Sequence, residues 1–116
     1  MGYDLHITRA KHWTDSKNKP IRLPEWLAYF GGDPEMRLDK VAVAKVKGKP
    51  VLAYENEGLA VWTAWSKHEP DGNMAWFDYR DGEIVVKNPD EEITAKMKRI
   101  AKALKAKVIG DDGESY

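Results

Sequence analysis

The chain has 116 residues, of which 42% are hydrophobic and 33% are charged, and it contains no cysteine. The length is typical of one domain, so we expect a single domain over residues 1–116. A chain without cysteine has no disulfide, no thiolate metal site and no cysteine nucleophile. Basic and acidic residues both number 19, so the net charge does not indicate a nucleic-acid partner.

The sequence carries no recognisable targeting or membrane signal. No apolar run approaches the roughly 20 residues that are needed to cross a bilayer. The first residues, MGYDLHITRAKHW, contain no continuous apolar segment of the kind found in secretory signals. We therefore expect a cytoplasmic protein without a membrane partner.

The first third of the chain predicts one strand and one short helix. Residues 3–9 alternate between apolar and polar side chains, which is typical of a half-buried strand. Residues 10–20 are polar and predict a loop. Pro24 suits the first helical position, and Gly31-Gly32 ends the helix after about two turns. The apolar patch of this helix consists of Trp26, Leu27 and Phe30.

Between Lys40 and Val86 the sequence favours β-structure. Turn residues separate the strand-like segments, as at Gly48-Lys49-Pro50 and at Asp81-Gly82. The segments are residues 41–46, 51–54, 59–65, 74–79 and 83–87. Because short connections join these five consecutive strands, we expect them to form an antiparallel meander.

Residues 88–107 give the clearest helical pattern. Asn88 or Asp90 is the expected N-cap, and acidic residues follow in the first turn, where the helix dipole favours them. The apolar stripe consists of Ile93, Met97, Ile100, Ala101 and Leu104. The opposite face is basic, with Lys96, Lys98, Arg99, Lys102, Lys105 and Lys107. We favour a solvated outer face over a phosphate-binding one.

After this helix, residues 106–110 predict a short final strand and residues 111–116 an acidic tail. Together the elements predict an α+β fold: an antiparallel β-sheet meander with one long C-terminal amphipathic helix and one short N-terminal helix. The long helix can cover only one face of such a sheet.

Aromatic residues are concentrated in residues 60–79, AVWTAWSKHEPDGNMAWFDY. If residues 59–65 and 74–80 are paired strands, alternation places large apolar side chains on both faces of this hairpin. We expect the chain to bury most of them itself, and a partner protein to cover the rest. The best candidate surface is Trp65, Trp76 and the charged loop between them. The predicted partner-binding residues are Trp65, His68, Glu69, Asp71, Asn73, Trp76 and Asp78.

No arrangement of residues predicts a particular reaction. Asp4 and His6 share a strand face, where a base and its orienting carboxylate could be built, but no nucleophile lies at a recognisable spacing. The 68–73 loop carries metal-ligand side chains, yet HEPDGN matches neither an H-E-x-x-H helix nor an EF-hand loop. We therefore predict no catalytic residue, no metal site and no cofactor.

Five segments carry a resemblance. They are YDLHITR at 3–9, EWLAY at 25–29, LAVWTAW with DGNMAWFDY over 59–79, VVKNPDEE at 85–92 and AKVIGDDGESY at 106–116. These segments resemble a group of small uncharacterised bacterial proteins, which are similar in size and class to the immunity proteins of polymorphic and contact-dependent toxin systems. The resemblance carries no catalytic motif. It implies a protein that binds and blocks one toxin domain, often a nuclease, inside the producing cell.

We therefore expect a non-catalytic binding protein of the immunity type, whose partner is a cognate toxin. Trp65 and Trp76 are expected to anchor in a desolvated patch, while Glu69, Asp71 and Asp78 pair with basic groups of the toxin. The alternative is a small metal- or ligand-binding protein, or an enzyme. A nucleic-acid-binding domain that uses the basic helix is a third reading. Whether the chain also forms a homodimer through its aromatic face is left open.

Overall fold

The computed structural model describes residues 3–44, 52–69 and 72–116. Within these residues the fold is mixed α+β, with a six-stranded antiparallel sheet, a separate two-stranded sheet and two α-helices. The strands are β1 (Asp4–Thr8), β2 (Met36–Leu38), β3 (Val41–Ala44), β4 (Leu52–Glu55), β5 (Ala60–Trp62), β6 (Ala75–Arg80), β7 (Glu83–Lys87) and β8 (Lys107–Gly110). The helices are α1 (Leu23–Tyr29) and α2 (Glu91–Ala103).

The order of strands in the large sheet is β2-β5-β6-β7-β1-β8, and all neighbours are antiparallel. Only β5, β6 and β7 follow one another as the predicted meander requires. The strand β2, which the sequence pattern does not predict, occupies the edge of β5 that a continuing meander would need. The strands β3 and β4 therefore pair with each other outside the large sheet. The turn predicted at residues 48–50 lies outside the described residues.

The turn between β6 and β7 has the predicted geometry. Asp81 and Gly82 both adopt positive φ, at 48° and 86°. Such angles match the right-handed twist of a two-residue hairpin, and aspartate and glycine tolerate them best. This turn fixes the register in which Asp78 lies opposite Val85 and Arg80 opposite Glu83.

The helix α2 packs on one face of the large sheet and closes the main core. The predicted apolar stripe is confirmed, because all five of its residues are buried. The sheet residues of the same core cluster are Leu5 and Ile7 of β1, Met36 of β2, Ala60 and Trp62 of β5, Ala75 and Phe77 of β6, Ile84 and Val86 of β7, and Val108 of β8.

The helix α2 has 13 residues and is shorter than the predicted 88–107 segment. Asp90 is its N-cap, as one of the two alternatives proposed, and its Oδ1 accepts the backbone N–H of Ile93 at 2.8 Å. The helix ends at Ala103 because the chain reverses at Lys105, where φ is 56°. The chain then enters β8, which confirms the predicted final strand.

One residue assigned to the solvated face of α2 lies elsewhere. Lys96 is only 4% exposed, and its ammonium group donates to Asp33 at 2.6 Å and to Glu35 at 3.2 Å. Its position beside Met97 places it at the border of the apolar stripe. The chain after α1 passes this border and supplies the two carboxylates, so that the lysine is buried as an ion pair.

The helix α1 anchors the edge of the core through Trp26. This side chain is fully buried, and its indole N–H donates to the carbonyl of Gly58 at 2.8 Å. Glu25 accepts the backbone N–H of Arg22 at 2.8 Å and so satisfies one donor at the start of the helix. Leu27, predicted as part of the apolar patch, is 36% exposed.

The opposite face of the sheet carries the groups from which a site can be built. Asp78, Val85, His6 and Ile109 are consecutive partners across β6, β7, β1 and β8, so their side chains form one row. Among the described residues, no helix is long and apolar enough to span a membrane.

Candidate functional site

A groove of about 680 Å³ lies where the sheet meets the start of α2. We call it the aromatic groove. Its apolar lining consists of Leu59, Trp65, Met74, Ala75, Trp76, Val85, Val86 and Ile93. Its polar lining consists of Lys67, Asn73, Asp78, Arg80, Lys87, Asn88 and Asp90. Four predicted partner-binding residues thus line one groove, namely Trp65, Asn73, Trp76 and Asp78.

Trp65 forms one wall of the aromatic groove. It lies in the connection after β5 rather than in the strand itself, because β5 ends at Trp62. Its ring is half-buried against the main core, and its indole N–H donates to Asp90 Oδ2 at 3.0 Å. Burial alone would raise the pKa of Asp90, but hydrogen bonds from Ile93 N–H and Trp65 outweigh it and hold the pKa below its ordinary value. The wall is therefore fixed to an ionised helix cap.

Trp76 lies on the sheet side of the same groove. It belongs to β6, pairs with Val61 of β5 and is half-buried. Alternation along β6 places it with Asp78 and apart from the fully buried Phe77, as predicted. Asp78 is itself buried, and its carboxylate accepts a hydrogen bond from Arg80 Nε at 2.6 Å. One aromatic side chain and one ion pair therefore make up this wall.

Of the remaining predicted residues, His68 and Glu69 lie in a loop, and one is outside the described residues. Glu69 accepts a hydrogen bond from the Asn73 amide at 3.3 Å and donates its backbone N–H to the Asn73 carbonyl at 2.7 Å, which closes the loop. Neither His68 nor Glu69 lines the aromatic groove. The Nδ1 atom of His68 is buried, and no group of the described residues forms a hydrogen bond with it. Asp71 lies outside the described residues.

Two parts of the groove are not predicted by the sequence pattern. Asn88 and Asp90 line it from the segment that leads into α2, where the pattern predicts only a helix cap. Lys67 and Lys87 line it as exposed cations. Their proximity depends on long-range pairing, for which a single sequence gives no local signal.

A second polar cluster surrounds His6 on the same face of the sheet. His6 Nδ1 lies 2.5 Å from Glu83 Oε1, and Nε2 lies 2.8 Å from Asp111 Oδ1. The ring of Trp13 stacks on the imidazole at a centroid distance of 4.3 Å and an angle of 4°. The sequence suggested that the carboxylate of Asp4 could orient His6. In the structure Glu83 and Asp111 take that place, and Asp4 donates its backbone N–H to Asp111.

The surroundings of His6 favour its charged form. Burial by itself lowers the pKa of His6, but the hydrogen bonds with Glu83 and Asp111 outweigh burial and raise the pKa above its ordinary value. The same contact holds the pKa of Asp111 below its ordinary value. The His6 side chain is only 5% exposed, so a substrate does not reach it from solvent in this arrangement.

A third cluster holds Lys96 beneath the end of α1. Asp33 accepts hydrogen bonds from Lys96 and from the hydroxyl of Tyr29, and Glu35 accepts one from the Trp62 indole at 3.1 Å. Burial would raise the pKa of Asp33, but the hydrogen bonds from Lys96 and Tyr29 outweigh it and lower the pKa. Each charged group is already paired within the fold, which makes this cluster structural.

Over residues 3–44, 52–69 and 72–116, no group of three or more His, Cys, Asp or Glu side chains is placed to hold a metal ion. No family model, curated protein or solved structure matches the chain.

Proposed function

We propose that the chain is a non-catalytic binding protein of the immunity type, which occludes a cognate bacterial toxin domain by means of its aromatic groove. The observation that carries the proposal is the position of Trp65 and Trp76 on one apolar groove of about 680 Å³. Tryptophan is enriched at the centres of protein interfaces, where it contributes most when fully desolvated. Both side chains are only half-buried in the unbound chain, so they retain area for a partner to cover.

The charges at the rim indicate the chemistry of the partner segment. The ammonium group of Lys67 lies 3.9 Å from Asp90 Oδ2, but the lysine side chain remains 68% exposed, and Lys87 is also exposed. The acidic groups of the groove are engaged within the chain, Asp90 by Trp65 and the helix and Asp78 by Arg80. We therefore assign the charged contacts to the two lysines. The partner segment inserts an apolar side chain, and carboxylates beside it pair with the lysine ammonium groups.

This assignment changes the mechanism expected from the sequence while keeping its aromatic anchors. Glu69 lies outside the groove lining, and Asp78 forms part of its wall rather than an exposed acidic contact. The partner's contacting segment is accordingly acidic and apolar instead of the basic cleft of a nuclease. Occlusion requires only that this segment lie close enough to the toxin's active site for the bound chain to exclude substrate.

The binding test uses the full chain and the product of the adjacent gene as the proposed toxin, with affinity measured by calorimetry. Trp76→Ala should weaken binding about 30-fold or more, because a desolvated tryptophan contributes on the order of 2 kcal/mol. Leu27→Ala is the matched control, since Leu27 is an exposed apolar residue of α1 outside the groove. Equal affinities of the two variants would contradict the assignment of the groove.

The charge test separates the rim from the rest of the surface. The double reversal Lys67→Glu with Lys87→Glu should slow association and remove much of its salt dependence. The matched control reverses Lys98 and Lys102, two exposed residues of α2, and should associate at the wild-type rate. A faster association of the Lys67/Lys87 variant would indicate a basic partner and contradict the acidic segment.

A further inference from the structure

The contacts of His6 determine how many protons the imidazole carries. Both ring nitrogens face a carboxylate oxygen, at 2.5 Å for Glu83 and 2.8 Å for Asp111. A neutral imidazole has one N–H donor and one lone pair, so it can satisfy only one of these contacts. Carboxyl groups ordinarily ionise well below the pH at which histidine loses its proton. The arrangement therefore holds an imidazolium between two carboxylates.

This imidazolium joins parts of the chain that are distant in sequence. Asp111 follows β8 and also accepts the backbone N–H of Asp4 at 3.0 Å. The carbonyl oxygen of Asp111 accepts the indole N–H of Trp13 at 3.0 Å, and the Trp13 ring covers the imidazole. The stacked ring faces a cation, which adds a favourable cation–π interaction. The residues Trp13–Asp15 form one turn of 3-10 helix, which we call the Trp13 turn. Glu83 belongs to β7, so the sheet, the Trp13 turn and the segment after β8 meet at one side chain.

We propose that His6 is a proton-dependent clip that fastens residues 111–116 and the Trp13 turn to the sheet. The clip is closed while both ring nitrogens carry protons, because each then donates to a carboxylate. Loss of one proton places a lone pair against a carboxylate oxygen and breaks one of the two charge-assisted hydrogen bonds. The segment after β8 then loosens, while the large sheet remains folded. This inference is independent of the aromatic groove and of any partner.

The groups around the imidazole are mainly acidic. Glu83 faces it from β7 and Asp111 from the segment after β8, while the Trp13 turn contributes Trp13 itself and the neighbouring His12. Along β1 the nearest residues on the same face are Asp4 and Thr8. In the sheet register Arg80 lies opposite Glu83, Lys87 opposite Asp4 and Lys107 opposite Thr8. Both groups that face the ring nitrogens are carboxylates, so the local field favours the second proton of the imidazole.

The segment after β8 carries backbone hydrogen bonds that report on the clip. The amide of Gly113 donates to the carbonyl of Gly110 at 3.0 Å, and the amide of Tyr116 donates to the carbonyl of Val108 at 3.0 Å. Both amides should be protected from hydrogen exchange while the clip is closed and lose protection when it opens. Amides of the sheet interior, such as that of Val85, provide an internal reference.

The experiment measures protection factors at pH 6 and pH 9 by NMR, together with the ¹⁵N chemical shifts of the His6 ring. At pH 6 both ring nitrogens should show the shift of a protonated imidazole. Protection at Gly113 and Tyr116 should fall about tenfold at pH 9, the loss expected for one charge-assisted hydrogen bond, while that at Val85 should change less. A neutral ring at pH 6, or equal protection at both pH values, would overturn the proposal.

Variants separate the clip from a general effect of pH. His6→Gln removes the titrating group, so protection at Gly113 and Tyr116 should no longer depend on pH. Asp111→Asn removes one carboxylate at a partly exposed position and provides a second test if His6→Gln does not fold. His68→Gln removes a histidine of the connection between β5 and β6, away from the segment after β8, and should keep the wild-type response. An unchanged pH response in Asp111→Asn would contradict the clip.

Discussion

Trp65 donates its indole N–H to Asp90 Oδ2 at 3.0 Å, while Asp90 Oδ1 accepts the backbone N–H of Ile93 at 2.8 Å. One carboxylate therefore both caps α2 and holds a wall of the aromatic groove. The groove is thus built on a rigid element, although Trp65 itself lies in an irregular connection. This relationship makes the stability of α2 and the position of Trp65 interdependent.

Substitutions of Asp90 should separate these two roles. Asp90→Ala removes both hydrogen bonds and should lower the free energy of unfolding by about 0.5–2 kcal/mol, the usual cost of a lost N-cap. Asp90→Ser keeps a capping oxygen but is too short to reach Trp65, so most stability should be retained. Urea unfolding measures the stability, and the indole N–H resonance of Trp65 reports its hydrogen bond. Equal stability of both variants would show that the cap contributes nothing.

Gly58 has a packing role that its backbone angles do not reveal. A Cβ atom at this position would lie 2.4 Å from Tyr79 Cβ, and the carbonyl of Gly58 also accepts the Trp26 indole N–H. Gly58→Ala should therefore destabilise the fold by about 1–3 kcal/mol, as overpacking of a core does. Gly31→Ala is the matched control, because no atom lies within 4 Å of the added methyl group. Thermal unfolding of both variants would decide, and an unchanged midpoint for Gly58→Ala would contradict the contact.

The buried pair of Lys96 and Asp33 should show strong coupling. Lys96→Met leaves the buried Asp33 carboxylate without its cation and should cost about 3–5 kcal/mol of unfolding free energy. The double variant Lys96→Met with Asp33→Asn removes both charges and should recover a large part of this loss. Lys98→Met, on the exposed face of α2, should be nearly neutral. A double variant as unstable as the sum of the single variants would exclude the coupling.

His6 determines whether the free energy of unfolding rises or falls with pH. Its pKa is raised in the folded chain, so the stabilisation is fully present below the ordinary histidine pKa of 6.5 and is lost as the pH rises through the folded value. The urea midpoint of the wild type should therefore fall on the alkaline side. Asp111→Asn, which removes one cause of the raised pKa, should fall less over the same range. A wild-type urea midpoint that increases as the pH is raised above 6.5 would contradict the expected direction.

Local patterns predicted the parts of the fold that local rules govern. The stripe on α2, the Asp90 cap and the Asp81-Gly82 turn are each specified by residues within one or two turns of chain. The pairing of strands was predicted less well. Met36–Leu38 is too short for a period-two pattern, and its pairing with β5 displaced the β3–β4 hairpin from the sheet.

The candidate site shows the same division. Trp65 and Trp76 could be predicted because aromatic side chains on both faces of a hairpin exceed what one helix can cover. The sequence could not show which acidic residues of the 66–73 loop contact a partner. A charged loop has no local feature that distinguishes a contacting side chain from a solvated one. The His6 cluster draws Glu83 and Asp111 from 77 and 105 residues away, and no spacing in a single sequence predicts such pairs.

The proposed function is tested most directly by asking whether the intact chain inhibits the product of the adjacent gene, which is the proposed toxin. The toxin's activity is titrated with the wild type, with Trp76→Ala and with Leu27→Ala, each checked for folding by circular dichroism. We expect stoichiometric inhibition by the wild type and by Leu27→Ala, and inhibition by Trp76→Ala only at concentrations at least about 30-fold higher. Equal inhibition by all three would remove the aromatic groove from the mechanism, and activity unaffected by the wild type would contradict the proposed function itself.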